Sequence, residues 1–301
     1  MQDIKHLQNC CMEKYSTFKI GGEARCVWFP NNEEEFVHLL KNIENPLVIG
    51  SGSNILFSSS FIDKDIILTS NLDKYSLEKN ILTVEAGVKA PQMANYAANE
   101  GLSGIEFLIG FPARFGGAVT QNASAQGQAI SDTFLSAKVF DMTTKEVKEF
   151  QKKDMDFSYR HSILSSGKYI LISAKFELKQ DTVNNALEKI KQNLDFRKNH
   201  QPMLNLPNIG SIFLNPQNDS AGRLLDQCGF KGRSLNGACV WENHANFIVN
   251  LNNAKSTDVL SLIMEMKQKV KDKFNIDLYT EIRFIEGNNE EEIKLWKLLQ
   301  K

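Results

Sequence analysis

This chain is short of cysteine, of histidine, of net charge and of long apolar runs, and each shortage argues against a class of function. Its five cysteines (Cys10, Cys11, Cys26, Cys228 and Cys239) are an odd set without a Cys-x-x-Cys pair. Reduced thiols in a cytoplasmic protein account for them more simply than a disulfide framework does. Five scattered histidines speak against a histidine-rich metal centre, and no metal is expected. A formal net charge of -1 carries no electrostatic footprint for nucleic acid or a membrane surface. No run of about 18 apolar residues exists to form a transmembrane helix. The opening Met1-Gln2-Asp3-Ile4-Lys5-His6 lacks the apolar core of a signal peptide. Internal repeats and low-complexity segments are absent too. What remains is a globular composition, 42% apolar and 24% charged over 301 residues, with material for two or three domains.

Familiar nucleotide and nucleophile signatures are missing as well. Pro46-Leu47-Val48-Ile49 reads as a short buried strand running into Gly50-Ser51-Gly52-Ser53-Asn54. A dinucleotide fingerprint needs a third glycine where Ile55 stands, and no Gly-Lys-Ser/Thr triplet supports a phosphate-binding P-loop. A small-residue turn after a strand is still a fair phosphate-contacting loop. The densest feature is Gly104 to Gly127, where Phe107, Leu108 and Ile109 lead into Gly110, Pro112, Gly116 and Gly117. Glycines there allow close approach of the main chain to a flat or anionic group. A tight packing turn explains the same residues equally well.

Periodicity predicts strands at 66–68, 81–84, 136–141 and 169–178. It predicts helices from Pro91 to Glu100, with Gly101 as cap, and from Asp181 to Gln201, with Leu187, Ile190 and Leu194 on one face. A further helix is expected from a Ser256 cap, burying Val259, Leu260, Ile263, Met266, Val270 and Phe274. A charged terminal helix with Leu295, Trp296 and Leu299 should pack on the body. Strands and helices do not alternate regularly, which points to an α+β fold rather than a doubly wound sheet.

Three segments could carry chemistry. Leu278 to Ile285 alternates as a strand, with Glu281 and Arg283 on the face opposite Leu278, Ile282 and Phe284. That pair either polarises a carboxylate or forms a surface ion pair. Asn208-Ile209-Gly210-Ser211 presents a serine after a glycine without the Gly-x-Ser-x-Gly elbow of serine hydrolases. Ser211 is therefore a proton donor before it is a nucleophile. Asp156-Phe157-Ser158-Tyr159-Arg160-His161-Ser162 sets an arginine among aromatics, either stacked near the surface or placed to stabilise developing negative charge.

Taken in order, these segments resemble the UDP-N-acetylenolpyruvoylglucosamine reductase family. The likeness runs through Thr17-Phe18-Lys19-Ile20-Gly21-Gly22, Gly50–Asn54, Gly104–Gly127, Tyr159-Arg160-His161-Ser162, Gln201-Pro202, Gly210–Pro216, Ala221-Gly222-Arg223, Lys231-Gly232, His244-Ala245-Asn246-Phe247 and Glu281-Ile282-Arg283. Each motif alone is weakly specific, but all of them in sequence order are highly specific. The resemblance implies a two-part FAD-binding region of the vanillyl-alcohol-oxidase type (residues 1–65 and 66–180), a substrate domain (181–285) and a C-terminal helical extension (286–301). It implies FAD reduced by NADPH, then reduction of the enolpyruvyl ether of UDP-N-acetylglucosamine to UDP-N-acetylmuramate in cytoplasmic peptidoglycan precursor synthesis by a monomer.

By the same resemblance Ser211 protonates the carbon beside the carboxylate, while Arg160 and Glu281 stabilise the enolate. Asn215, Arg223, Lys231, His244 and Arg283 hold substrate. Gly50, Ser51, Gly52, Ser53 and Asn54 line the FAD, with Gly110, Phe111, Pro112, Arg114, Gly116, Gly117, Ala118 and Asn122. The chain departs from the family at Ala113, Arg114 and Ser124, where relatives usually carry Gly, Thr or Ser, and Gly. Arg114 is expected to add a cationic contact to the FAD diphosphate. The short span between Arg160 and Arg197 leaves little room for a substrate-capping insertion. A flavin oxidase or a flavin-binding regulator with a dead site would not require Arg160, Ser211 and Glu281 together.

Overall fold

The structure, a computed structural model, describes residues 4–203 and 205–300. Residues 1–3 of the expected leaderless start and Lys301 of the expected terminal helix lie outside the described residues. The chain forms two compact units, one of Met1–Leu7, Val27–Ser51 and Asp65–Phe196, the other of Gln8–Cys26, Gly52–Lys64 and Arg197–Lys301. Each mixes sheet and helix, so the fold is α+β.

The first unit is built on an antiparallel sheet in the order Glu146–Gln151, Phe134–Asp141, Tyr169–Glu177, Ile81–Glu85, Tyr75–Glu78. Alternate residues of its strands face a continuous core that includes Leu82, Val84, Phe115, Phe134 and Phe176. Phe176 lies 5.2 Å from Phe115 and 5.8 Å from Phe134, ring centre to ring centre, which locks strand to helix through tilted aromatic contacts. The helix Ala90–Asn99 buries Ala90, Met93, Ala94, Ala97 and Ala98, and Gly101 ends it at φ +67°. The helix Val183–His200 buries Ala186 and Ile190, whereas Leu194, expected on its apolar face, is exposed. That helix is polar over most of its surface, so its final turns cover little.

The second unit has an antiparallel sheet in the order Asn208–Ser211, Phe247–Asn250, Ala238–Val240, Ser234–Leu235. The helix Ser256–Phe274 buries Val259, Leu260, Ile263, Met266 and Val270, as its spacing predicts. Ser256 is the first residue of that helix rather than its cap. Asp258 accepts from the backbone N–H of Lys255 at 2.8 Å, which leaves the Ser256 hydroxyl for the buried carboxylate of Glu292. The expected strand over 278–285 is regular only at Arg283–Ile285, which pairs in parallel with Ile55–Phe57. The burial alternation foreseen for it survives: Leu278, Ile282 and Phe284 are buried. The terminal helix Glu290–Leu299 packs in this unit, with Leu299 buried and Trp296 against Phe284.

Candidate active site

In the first unit the glycine-rich segment is more ordered than a loop. A 3-10 turn, Glu106–Gly110, leads through Phe111 and Pro112 to a short helix, Phe115–Thr120. Buried Phe107, Leu108, Phe115 and Val119 anchor it, with Gly110 and Ala118 also buried. The paired glycines divide the work. Gly116 donates its N–H to Ala86 at 2.7 Å, and a Cβ there would lie 3.1 Å from the same carbonyl. Gly116 therefore answers to packing. A Cβ on Gly117 would meet nothing within 4 Å. Gly117 leaves bare backbone facing open space, a cradle that a side chain would fill and that suits a flat ring system. These residues fit FAD.

Arg114 has a structural task that its sequence position did not reveal. Its Nη1 donates to the carbonyls of Gly87 and, at 3.3 Å, Ser70. Its stem covers Gly50, where a Cβ would sit 3.3 Å from the Arg114 Cβ. Burial pulls the pKa of this guanidinium down. The side chain ties the turn after Ile49 to the helix-bearing segment.

Asn122 is buried with φ 41°, and its side chain joins backbone to backbone. Its Nδ2 donates to the Ser158 carbonyl at 3.0 Å and its Oδ1 accepts from Ser131 N–H at 3.0 Å. Asn122 thus holds the turn that carries Arg160. That turn is closed by reciprocal backbone bonds between Ser158 and His161, both 3.2 Å, with Tyr159 and Arg160 at its tip. The Arg160 Cζ lies 5.3 Å from the Tyr159 ring centre, which is the stacked arrangement expected for the segment.

In the second unit Gly52, Ser53 and Asn54 lead into the strand Ile55–Phe57. Asn54 brackets the segment with the candidate acid groups: its Nδ2 donates to the Glu281 carbonyl at 3.1 Å and its own carbonyl accepts from Arg283 N–H at 3.0 Å. Glu281 N–H donates in turn to the Ile212 carbonyl at 2.8 Å. Ser211 and Glu281, 70 positions apart in sequence, are therefore carried on directly paired segments, one residue out of step. Gly210 at φ +78° makes the bulge that precedes Ser211, its N–H bonded to Asn208 Oδ1 at 3.0 Å. Asn246, to which the sequence assigned no role, fixes the residue two positions beyond Ser211: its amide bonds Phe213 N–H at 2.9 Å and the Phe213 carbonyl at 2.8 Å. Its place in the His244–Phe247 motif was the available signal.

Asn215, Arg223, Lys231 and His244 lie on or against the helix Ala221–Gln227, and Arg283 lies on the strand Arg283–Ile285. Asn215 Oδ1 accepts from Ala221 N–H at 3.1 Å. Arg223 forks onto Asp219, with Nε to Oδ1 at 2.7 Å, and this pairing pulls the carboxyl of Asp219 down to about 2. Lys231 pairs with Asp226 at 2.7 Å, and Arg283 is exposed. His244 accepts Asn246 N–H at Nδ1, 3.2 Å. Burial lowers its pKa, opposed by a hydrogen bond to backbone and aided by smaller contributions from Lys231 and His200. Its ring packs against Gly222, where a Cβ would come within 2.7 Å of it.

Residues 24–149 match the FAD binding domain family and residues 201–285 the UDP-N-acetylenolpyruvoylglucosamine reductase C-terminal domain family. A UDP-N-acetylenolpyruvoylglucosamine reductase of Caldicellulosiruptor saccharolyticus is 38% identical, over 94% of this chain and 93% of its own. The reductase of Prochlorococcus marinus subsp. pastoris is 37% identical, over 95% of this chain and 98% of its own. The crystal structure of UDP-N-acetylenolpyruvylglucosamine reductase from Thermus caldophilus superimposes with a TM-score of 0.81 at 29% identity, covering 94% of this chain and 99% of that one. The chain belongs to the UDP-N-acetylenolpyruvoylglucosamine reductase family.

Proposed function

We infer that this chain is the FAD-dependent oxidoreductase that uses NADPH to reduce the enolpyruvyl ether of UDP-N-acetylglucosamine, forming UDP-N-acetylmuramate for peptidoglycan. The observation that supports the assignment of roles is the backbone bond from Glu281 N–H to the Ile212 carbonyl, which carries Glu281 on a segment paired with the one that bears Ser211. Bound FAD, once reduced by NADPH, supplies the hydride equivalent for the enolpyruvyl double bond. Reduction at the terminal carbon leaves negative charge on the carbon that bears the carboxylate. Arg160 meets that carboxylate and spreads the charge. Glu281 polarises the same group, and the Ser211 hydroxyl delivers a proton to the carbanionic carbon. Asn215, Arg223, Lys231, His244 and Arg283 hold the nucleotide-sugar end, whose diphosphate suits their donors and charges. Gly50–Asn54 and the segment from Gly110 to Asn122 form the flavin cradle. Among the described residues no helix is long and apolar enough to cross a membrane. We place the enzyme in the cytoplasm as a monomer, which fractionation and sedimentation velocity test.

Anaerobic stopped-flow absorbance at the flavin band tests the activity. The holoprotein is reduced with NADPH and then mixed with UDP-N-acetylglucosamine enolpyruvate. Rapid reoxidation without oxygen is expected. Flavin that NADPH reduces and the enolpyruvyl compound fails to reoxidise would overturn the assignment.

A further inference from the structure

Arg160 is a long side chain on a strained turn, and such a group needs an anchor if it is to present a fixed face. Its backbone sits at φ 56°, a left-handed conformation that an ordinary residue resists. The surrounding bonds hold it there. Beside the reciprocal Ser158–His161 pair and the Asn122 bond to Ser158, the Ser162 hydroxyl donates to the Thr120 carbonyl at 2.8 Å and the Ser165 hydroxyl to the same carbonyl at 3.0 Å. The backbone beneath Arg160 is therefore fastened to the end of the glycine-bearing helix.

The guanidinium is fastened separately. Its Nη1 donates to Ser124 Oγ at 2.7 Å and, less closely, to the Ser124 carbonyl at 3.3 Å. Ser124 stands at the start of a two-residue hairpin: Ala125 pairs with Gln128, and Gln126 and Gly127 make the turn at φ 53° and 75°. Positive φ at both turn residues is the signature of a tight type I′ turn, a stiff platform. The hydroxyl oxygen is occupied as an acceptor from Arg160, so its own proton points away from the guanidinium. Two donors are thereby set side by side for one anionic ligand.

We propose that Ser124 is a positioning residue, which holds the Arg160 guanidinium in the orientation that meets the enolpyruvyl carboxylate. This rests on the activity inferred above. The hydroxyl, rather than the loop backbone, does the holding, because the carbonyl contact is the longer of the two. A hydrogen bond to a charged group that is lost without replacement weakens the function depending on it by about tenfold.

Ser124→Ala in the FAD-loaded protein tests the proposal, with Ser124→Gly as a second deletion and Ser124→Thr as the variant that keeps the hydroxyl. Calorimetric affinity of the oxidised holoenzyme for UDP-N-acetylglucosamine enolpyruvate should fall about tenfold in both deletions and return in Ser124→Thr. The rate at which NADPH reduces the bound FAD should stay within about twofold of the parent. Against an Arg160→Ala background, Ser124→Ala should add no further loss, since the two act as one unit. Side-chain NMR of 15N-arginine protein, which needs no substrate, should show faster rotation of the Arg160 Nη groups in Ser124→Ala than in the parent. Unchanged affinity together with unchanged rotation would overturn the proposal. So would a full additional loss in the Arg160→Ala background. Faster rotation in a protein whose parent does not bind the enolpyruvyl compound would sink the activity assignment while leaving the anchor standing.

Discussion

Gly117→Ala should move stability and flavin affinity in opposite directions, a combination that few substitutions produce. The residue lies inside the helix Phe115–Thr120, and a Cβ there would meet no protein atom within 4 Å. Folding therefore carries no clash. Alanine in a helix is favoured over glycine by about 0.5–1 kcal/mol, from lower backbone entropy in the unfolded chain. The flavin-free protein should melt higher by roughly 1–4 °C on the scale for units of this size. If the open space at Gly117 is where the flavin lies, the same methyl enters a filled site. Overpacking by one methyl typically costs about 1–3 kcal/mol, which is roughly a 5- to 150-fold loss of FAD affinity. Melting curves recorded over a series of FAD concentrations measure both effects, because the rise of Tm with ligand reports the dissociation constant. Undiminished FAD affinity would remove Gly117 from the cradle. A lower melting point without FAD would refute the packing argument, since it would mean that the space is not open in solution.

Ser211→Ala should leave NADPH reduction of the flavin nearly intact and slow reoxidation by the enolpyruvyl compound at least about 100-fold, the usual contribution of a general acid; equal damage to both half-reactions would reject Ser211 as proton donor. Glu292→Ala removes the carboxylate that accepts from the hydroxyls of Ser58 and Ser256. It should cost about 2 kcal/mol in urea unfolding, because two hydrogen bonds to a buried carboxyl group are lost while Ser58 keeps its bonds to Ser60 and Ser256 its bonds to Ser59; a loss below about 0.5 kcal/mol would show the terminal helix to be a passive appendage. Burial lowers the pKa of His244, so the unfolded chain binds the proton more readily than the folded one. Stability should accordingly fall as pH drops through about 6.5 and level off below the folded value. His244→Gln should flatten that dependence of the unfolding free energy, and an unchanged pH profile would exclude His244 as its source.

Regular elements with a strong period were legible in the sequence. The helix Ser256–Phe274 and the strands Phe134–Asp141 and Tyr169–Glu177 lie where their apolar spacing put them. Short elements of poor intrinsic propensity were not. The helix Phe115–Thr120 contains Gly116, Gly117 and Val119, and forms because Phe115 and Val119 are buried in a core assembled from distant strands. Local composition carries no trace of such packing. Among candidate residues, Ser211 and Glu281 were legible as types, and the pairing of the segments that carry them, 70 positions apart, needed the structure. Arg114 and Asn122 were assigned to the cofactor by their place in the loop. Their side chains prove to be committed to carbonyls at Ser70, Gly87 and Ser158.

The part that sequence could not supply has a common physical form. The catalytic candidates lie on irregular backbone, where peptide groups lack the partners that a helix or a ladder provides. Asparagine side chains supply them. An asparagine amide carries one donor face and one acceptor face, as a peptide does, and so it can substitute for a missing strand neighbour. Asn54 does this beside Glu281, Asn122 beneath Arg160 and Asn246 at Phe213. Asn250 does it for Phe18 and Lys19, taking Ala254 N–H on its oxygen. Aspartate, nearly identical in shape, keeps the acceptor and loses the donor, so it would leave a carbonyl unpaired and add a charge at each of these positions. That explains why asparagine recurs in motifs whose chemistry makes no use of an amide. In this chain it is the residue that holds the backbone around the candidate residues in place.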